Sequence, residues 1–170
     1  MATFYRQIEQ TILHLLNVIC DSVDITAIKL EYSDRFYWSG DWENFDSKKL
    51  LRDDRGMWCE VANRSKREWH SHSGWFDSIS DRSKRLININ VDAVSAARPG
   101  ENQTSPSISI LTLIQDQIIE AADDADAASQ GSFTDAISQL DKQHVALKDI
   151  LAEVIVPEMA DRITLNPPSR

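Results

Sequence analysis

Glycine is scarce in this chain. Five occur in 170 residues, at positions 40, 56, 74, 100 and 131, and none belongs to the glycine-rich array that cradles phosphate groups. No Gly-x-Ser-x-Gly elbow is present to expose a nucleophilic serine. The two cysteines, Cys20 and Cys59, stand far apart in unrelated contexts. That excludes a disulfide framework and a zinc knuckle, and leaves each as a small buried apolar residue. Apolar runs fall far short of the ~20 residues that a membrane span requires. The opening "MATFYRQIEQ" has no basic stretch leading into an apolar one, so no secretory leader is expected and the chain reads as cytoplasmic. Positive charge is also short. The net charge is −9, and residues 107–170 carry 4 basic against 11 acidic side chains. An acidic balance repels phosphate, which argues against general nucleic-acid binding and favours a basic protein partner or plain solubility.

Apolar residues make up 42% of the chain. A chain of this length buries roughly 70% of its unfolded surface, so it needs neither metal nor disulfide to fold. Periodicity divides it into regions. Phe4, Ile8, Ile12, Leu15, Leu16 and Ile19 recur at three- and four-residue steps, predicting a helix over 2–20. In "ITAIKLEY" the period becomes two, the mark of a half-buried strand. Ser33-Asp34 reads as a turn and "RFYWSGDW" as a second strand rich in aromatics. Residues 43–55 read as a loop or short helix, and "GMWCEVANR" as a third strand paired with "KREWHSH". "RLININV" is a further strand, with Ile87, Ile89 and Val91 on one face. Four to five strands joined by short turns predict an antiparallel meander.

Residues 96–107, punctuated by Pro99-Gly100 and Ser105-Pro106, read as a linker. Beyond it Leu111, Ile114, Ile118, Ala121, Ala125 and Ala128 step by three and four. Past Gly131 the series resumes with Phe133, Ile137, Leu140, His144, Leu147, Leu151 and Val154. Gly131 suits a helix end, Ser132 with Asp135 a helix start, and Pro157 a stop. The prediction is an antiparallel helical hairpin with arms 108–129 and 133–156. The expected fold is α+β, with a helix and sheet over 1–95, a linker over 96–107 and the hairpin over 108–163. The hairpin either closes the core on the sheet or projects, to dimerise or to grip a partner.

Chemistry centres first on "EWHSHSGW". His70 and His72, spaced i and i+2 on a strand, point to one face and can share a metal. The string "WHSHSGWFDSISD" resembles part of the JAMM metalloprotease signature, a His-x-His pair followed by a serine and an aspartate. His70, His72 and Ser80 match that pattern. Ser73 stands where the family has proline, Asp81 is out of register, and Glu31 and Glu60 are the only loose candidates for its upstream glutamate. The resemblance implies a small zinc hydrolase, with His70, His72 and Asp81 holding zinc and a glutamate activating water. The alternative is a strand end turning at Ser73-Gly74, with no metal or cofactor.

All five tryptophans, Trp38, Trp42, Trp58, Trp69 and Trp75, lie within residues 38–75. That is more aromatic area than one small sheet needs for its core, and tryptophan is enriched at contact hot spots. Arg64, Lys66, Arg67, Arg82, Lys84 and Arg85 interleave with them, as on a single-stranded nucleic-acid platform, or as a solvated strand edge. Asp116 and Glu120, with Asp123 or Asp124, line one face of the first expected hairpin arm. That face is a solvated surface, or it steers a basic partner. His144 falls on the apolar seam, where a lone histidine serves as a core residue. The expected function is non-catalytic protein binding by a small inhibitor, an immunity or anti-defence protein, a chaperone-like protein or an accessory subunit. Trp38, Trp42, Trp69 and Trp75 with Asp116, Glu120, Asp123 and Asp124 would meet the partner, and the hairpin could pair two copies. A zinc hydrolase and a single-stranded nucleic-acid or small-ligand binder are the alternatives.

Overall fold

In the computed structural model, residues 26–58, 64–80, 83–118 and 133–165 are described, with Arg6, Gln10, Thr11 and Ala62 as isolated positions. They form an α+β architecture. The strands are β1 (Ala27–Tyr37), β2 (Trp69–Ser80), β3 (Ser83–Ala97) and β4 (Thr104–Ile118), in the spatial order β1-β4-β3-β2, with every pair antiparallel. β2, β3 and β4 make a meander. β1 lies beyond β4, so the long connection 38–68 carries the chain across to the opposite edge, a Greek-key order. Two helices follow, α1 (Phe133–Val154) and α2 (Pro157–Arg162). No helix among the described residues is long and apolar enough to cross a membrane.

The register assigns the faces. Leu30, Ile114 and Ile87 share one row across β1, β4 and β3, and Phe36, Ile108 and Ala93 share another. Successive side chains on a strand alternate faces, so these rows and those between them make the face beneath α1. Ile87, Ile89, Val91, Ala93, Ile108, Ile110 and Ile114 are all buried there. Toward the Ile108 end they meet Phe45, Leu50, Leu51, Trp58 and Ala62 of the connection and Leu151, Val154, Ile155 and Ala160 of the helices. Toward the Ile114 end they meet Leu147, Leu30 and Tyr32. Burying one such side chain is worth about 1.5–3 kcal/mol, so this face dominates the stability of the domain. α1 lies over β1 and β4. That offset leaves the far part of β2 uncovered, which positions the site described below.

The junction of the helices follows from Pro157. The residue before a proline is pushed out of the helical region, and Val156 is extended, at φ −66° and ψ 147°. Pro157 then opens α2, where a missing N–H costs nothing. The backbone freed between the helices pairs with the connection: Val156 N–H donates to Leu50 O and Arg52 N–H to Val154 O.

Several expectations are corrected. The first hairpin arm is not helical where it is described, because residues 108–118 belong to β4. The expected linker over 96–107 contains the end of β3, the start of β4 and the turn between them, in which Gly100 takes φ 84°. Ser33-Asp34 is not a turn, since β1 runs through it to Tyr37. Ser73-Gly74 is not a turn either. Both residues are paired within β2, opposite Ile89 and Asn88. Met57 and Trp58 lie outside any strand, and "KREWHSH" pairs with β3 instead. Of the helix expected over 2–20 only Arg6, Gln10 and Thr11 are described, and the hairpin turn at Gly131 lies outside the described residues.

Candidate functional site

The expected contact residues separate in space. Trp38 and Trp42 clasp Phe45, with ring centroids 5.7 and 4.8 Å away. They and Trp69 pack half-buried against the core. Trp42 Nε1 donates to Ser95 Oγ at 3.0 Å, and the Lys49 ammonium sits 5.4 Å from the Trp38 ring. Trp58 is buried. Four of the five tryptophans thus serve the core and its rim. Trp75 differs, because it stands on the helix-side face of β2 beyond the reach of α1.

Asp116 is no part of a helical acidic face. It is a buried residue of β4, directly opposite Arg85 of β3. Arg85 Nε and Nη2 donate to its two carboxylate oxygens at 2.7 and 2.9 Å. Gln143, fully buried on α1, donates to Asp116 Oδ2 and to Ile28 O, each at 2.9 Å, and Gln139 also donates to that oxygen. Burial is the largest single influence on this carboxyl and raises its pKa. The hydrogen bonds from Arg85, Gln143 and Gln139 together outweigh it and hold the group below its usual range. Tyr32 Oη lies 2.6 Å from His144 Nδ1. Burial, and then Lys148, push the His144 pKa down against the pull of Asp141. This polar seam ties α1 to the sheet. Glu120, Asp123 and Asp124 lie outside the described residues.

His70 and His72 do share a face of β2, with ring centroids 6.5 Å apart, but their nitrogens diverge. His70 Nδ1 meets Asp92 Oδ1 at 2.5 Å across the ladder, and His72 Nε2 meets Asn88 Oδ1 at 2.7 Å in the opposite direction along the strand. Gly74 makes the second contact possible. A Cβ there would stand 2.5 Å from Asn88 Oδ1. Among the described residues no group of three or more His, Cys, Asp or Glu could hold a metal ion, and Asp81 lies outside them. The basic cluster also divides. Arg64, Lys66 and Arg67 precede β2 and Lys84 and Arg85 follow it, separated by a strand about 35 Å long. Arg85 is committed to Asp116.

What remains is the outer part of β2. Every residue from Gly74 to Ser80 is exposed. Trp75 at 37%, Phe76 at 64% and Ile79 at 46% are three of the five exposed large apolar side chains among the described residues. Ile79 sits in the bulge between Ser78 and Ser80. Trp75 projects on the helix side and Phe76 on the other, so the strand shows apolar surface on both faces. It pairs only with β3, which leaves its outer edge unpaired among the described residues. The two edges of the sheet differ in charge. β1 carries Lys29, Glu31, Asp34 and Arg35, and Asp34 points toward the helix side, where burial raises its pKa. Edge lysines and inward-pointing charges block further strand pairing. β2 carries Asp77 alone, with no lysine, arginine or proline, and its one irregularity is the bulge between Ser78 and Ser80. Phe76 and Ile79 were not among the contact residues expected from sequence. The run "WFDSIS" held the signal, but reading Ser73-Gly74 as a turn removed it from the strand. No family model, curated protein or solved structure matches this chain.

Proposed function

We propose that this chain is a non-catalytic protein-binding module whose contact surface is the outer part of β2. The observation that carries this reading is the apolar cluster of Trp75, Phe76 and Ile79 on an edge strand with a single charge. Large exposed apolar side chains grouped in this way mark interaction sites, and tryptophan and phenylalanine bury much area at little entropic cost. An unpaired edge adds backbone donors and acceptors to the same surface. The titratable groups that the fold brings together support the reading, because each is engaged in holding the fold. Asp116 and Arg85 bind α1 to the sheet, and His70 and His72 tie β2 to β3. Such a module fits an accessory, inhibitory or chaperone-like role, with the partner meeting Trp75 and Phe76 rather than Trp38, Trp42 or Trp69.

The test is capture of a stoichiometric partner from the native host by tagged chain, compared between wild type and a Trp75→Ala/Phe76→Ala variant. The variant should lose the partner while its melting temperature stays within a few degrees, since both side chains are exposed. Undiminished capture by the variant, or a loss matched by collapse of the melting temperature, would contradict the proposal.

A further inference from the structure

We infer that the outer edge of β2 pairs with the same edge of a second copy of this chain, in an antiparallel two-fold arrangement. The inference rests on the binding surface proposed above and names its occupant. Strand addition supplies main-chain hydrogen bonds along the edge and side-chain contacts on both faces, and β2 is the edge of this sheet that lacks charged guards. The strand is also complementary to itself. In a two-fold ribbon, residues whose numbers share a constant sum stand opposite each other on one face, so the axis passes beside a residue paired with its own copy.

An axis at Trp75 pairs Trp75 with Trp75, Phe76 with Gly74, Asp77 with Ser73 and Ser78 with His72. Both exposed aromatics are covered, a large ring faces a glycine, and no two like charges meet. The ladder ends at Ser78, where the bulge begins. An axis at Asp77 would set two carboxylates face to face, which is unfavourable. An axis at Phe76 would place Trp75 against Asp77 and shorten the ladder before the bulge. α1 carries four acidic and two basic residues and lies over β1 and β4, away from the β2 edge. It opposes approach of two β2 edges weakly. A ribbon this short buries less than the ~1,200 Å² of a standard interface, so association belongs to the micromolar range.

Sedimentation equilibrium of the full chain, from about 1 to about 100 μM, reads this association. Two double variants test the register. His72→Glu/Ser78→Lys places opposite charges across the two-fold axis. His72→Lys/Ser78→Lys places like charges there. Both positions are exposed on one face of β2, and within one chain they stand about 20 Å apart, too far to pair. The wild type and the Glu/Lys variant should dimerise, and the Lys/Lys variant should bind itself at least about tenfold more weakly than the Glu/Lys variant. Equal association of the two variants would place the dimer contact elsewhere and overturn the inference. A wild type that is monomeric at about 100 μM would overturn it as well. If that monomer still captures a different protein through Trp75 and Phe76, the binding surface stands and only its occupant is wrong. If it captures none, the proposed function fails too.

Discussion

Thr112 shows how the sheet under α1 accommodates polar atoms it does not use. Its hydroxyl is buried in the middle of β4 with no hydrogen-bond partner among the described residues, and Gln143 Oε1 is buried in the same condition. An unsatisfied buried hydroxyl costs about 1–3 kcal/mol. Valine has nearly the same shape and β-branching without the polar atom. Thr112→Val should therefore stabilise the protein by about 1 kcal/mol, read as a higher denaturant midpoint at unchanged slope. Gly74 presents the opposite case. Its φ is ordinary, so space alone requires it, and Gly74→Ala would drive the Asn88 side chain away and break its bond to His72. That change should lower stability by about 1 kcal/mol, measured by the same titration. Neither effect was legible in sequence. Thr112 reads there as one more strand-forming residue, and the pairing of Gly74 with Asn88 exists only through the β2–β3 register. Asp116 was misread for the same reason. Its partner Arg85 lies in another strand, and without that partner an aspartate reads as a surface charge.

The elements were legible where their pattern admitted one period. The first half of β1, the "RLININV" part of β3 and α1 follow from clean alternation or clean three-four spacing. β4 did not, because it is a central strand with Leu111 and Leu113 on the face opposite Ile110 and Ile114. Apolar residues on both faces fit the helical template as well as the strand one. Its isoleucines and threonine, which favour strands, were the cue that could have decided it. The contact of α1 with the sheet should also respond to pH. The Asp116 carboxyl is held below its ordinary 3.8, so its contribution is complete above pH 3.8 and is lost as pH falls through the lower folded value. His144 is held below its ordinary 6.5. The unfolded chain then takes up a proton before the folded one does, and stability declines as pH falls from 6.5 toward the folded value. Melting temperatures should therefore be level above about pH 7 and fall in two stages below it. His144→Gln should flatten the upper stage and leave the acid one. Asp116→Asn should diminish the acid stage and cost about 2 kcal/mol at neutral pH, less than a fully buried pair because Arg85 reaches solvent. A single acid transition unchanged by either substitution would contradict these assignments.

At the scale of the whole molecule the sheet is asymmetric. α1 and the connection cover β1, β4 and much of β3. One outer edge carries four charged residues, and the other exposes Trp75, Phe76 and Ile79 around a single aspartate. The tryptophan excess in residues 38–75 pointed to this region from sequence, but four of those rings line or complete the core. The exposed surface was narrower than expected and included Phe76. Amide hydrogen exchange at single-residue resolution, at low and high protein concentration, tests most directly whether the β2 edge is the contact surface. The outward-facing amides of residues 72–78 should become slower to exchange as concentration rises, while the outward-facing amides of β1 keep one rate throughout. Exchange along β2 that is independent of concentration, or protection that grows on β1 instead, would contradict the assignment of β2 as the edge that pairs.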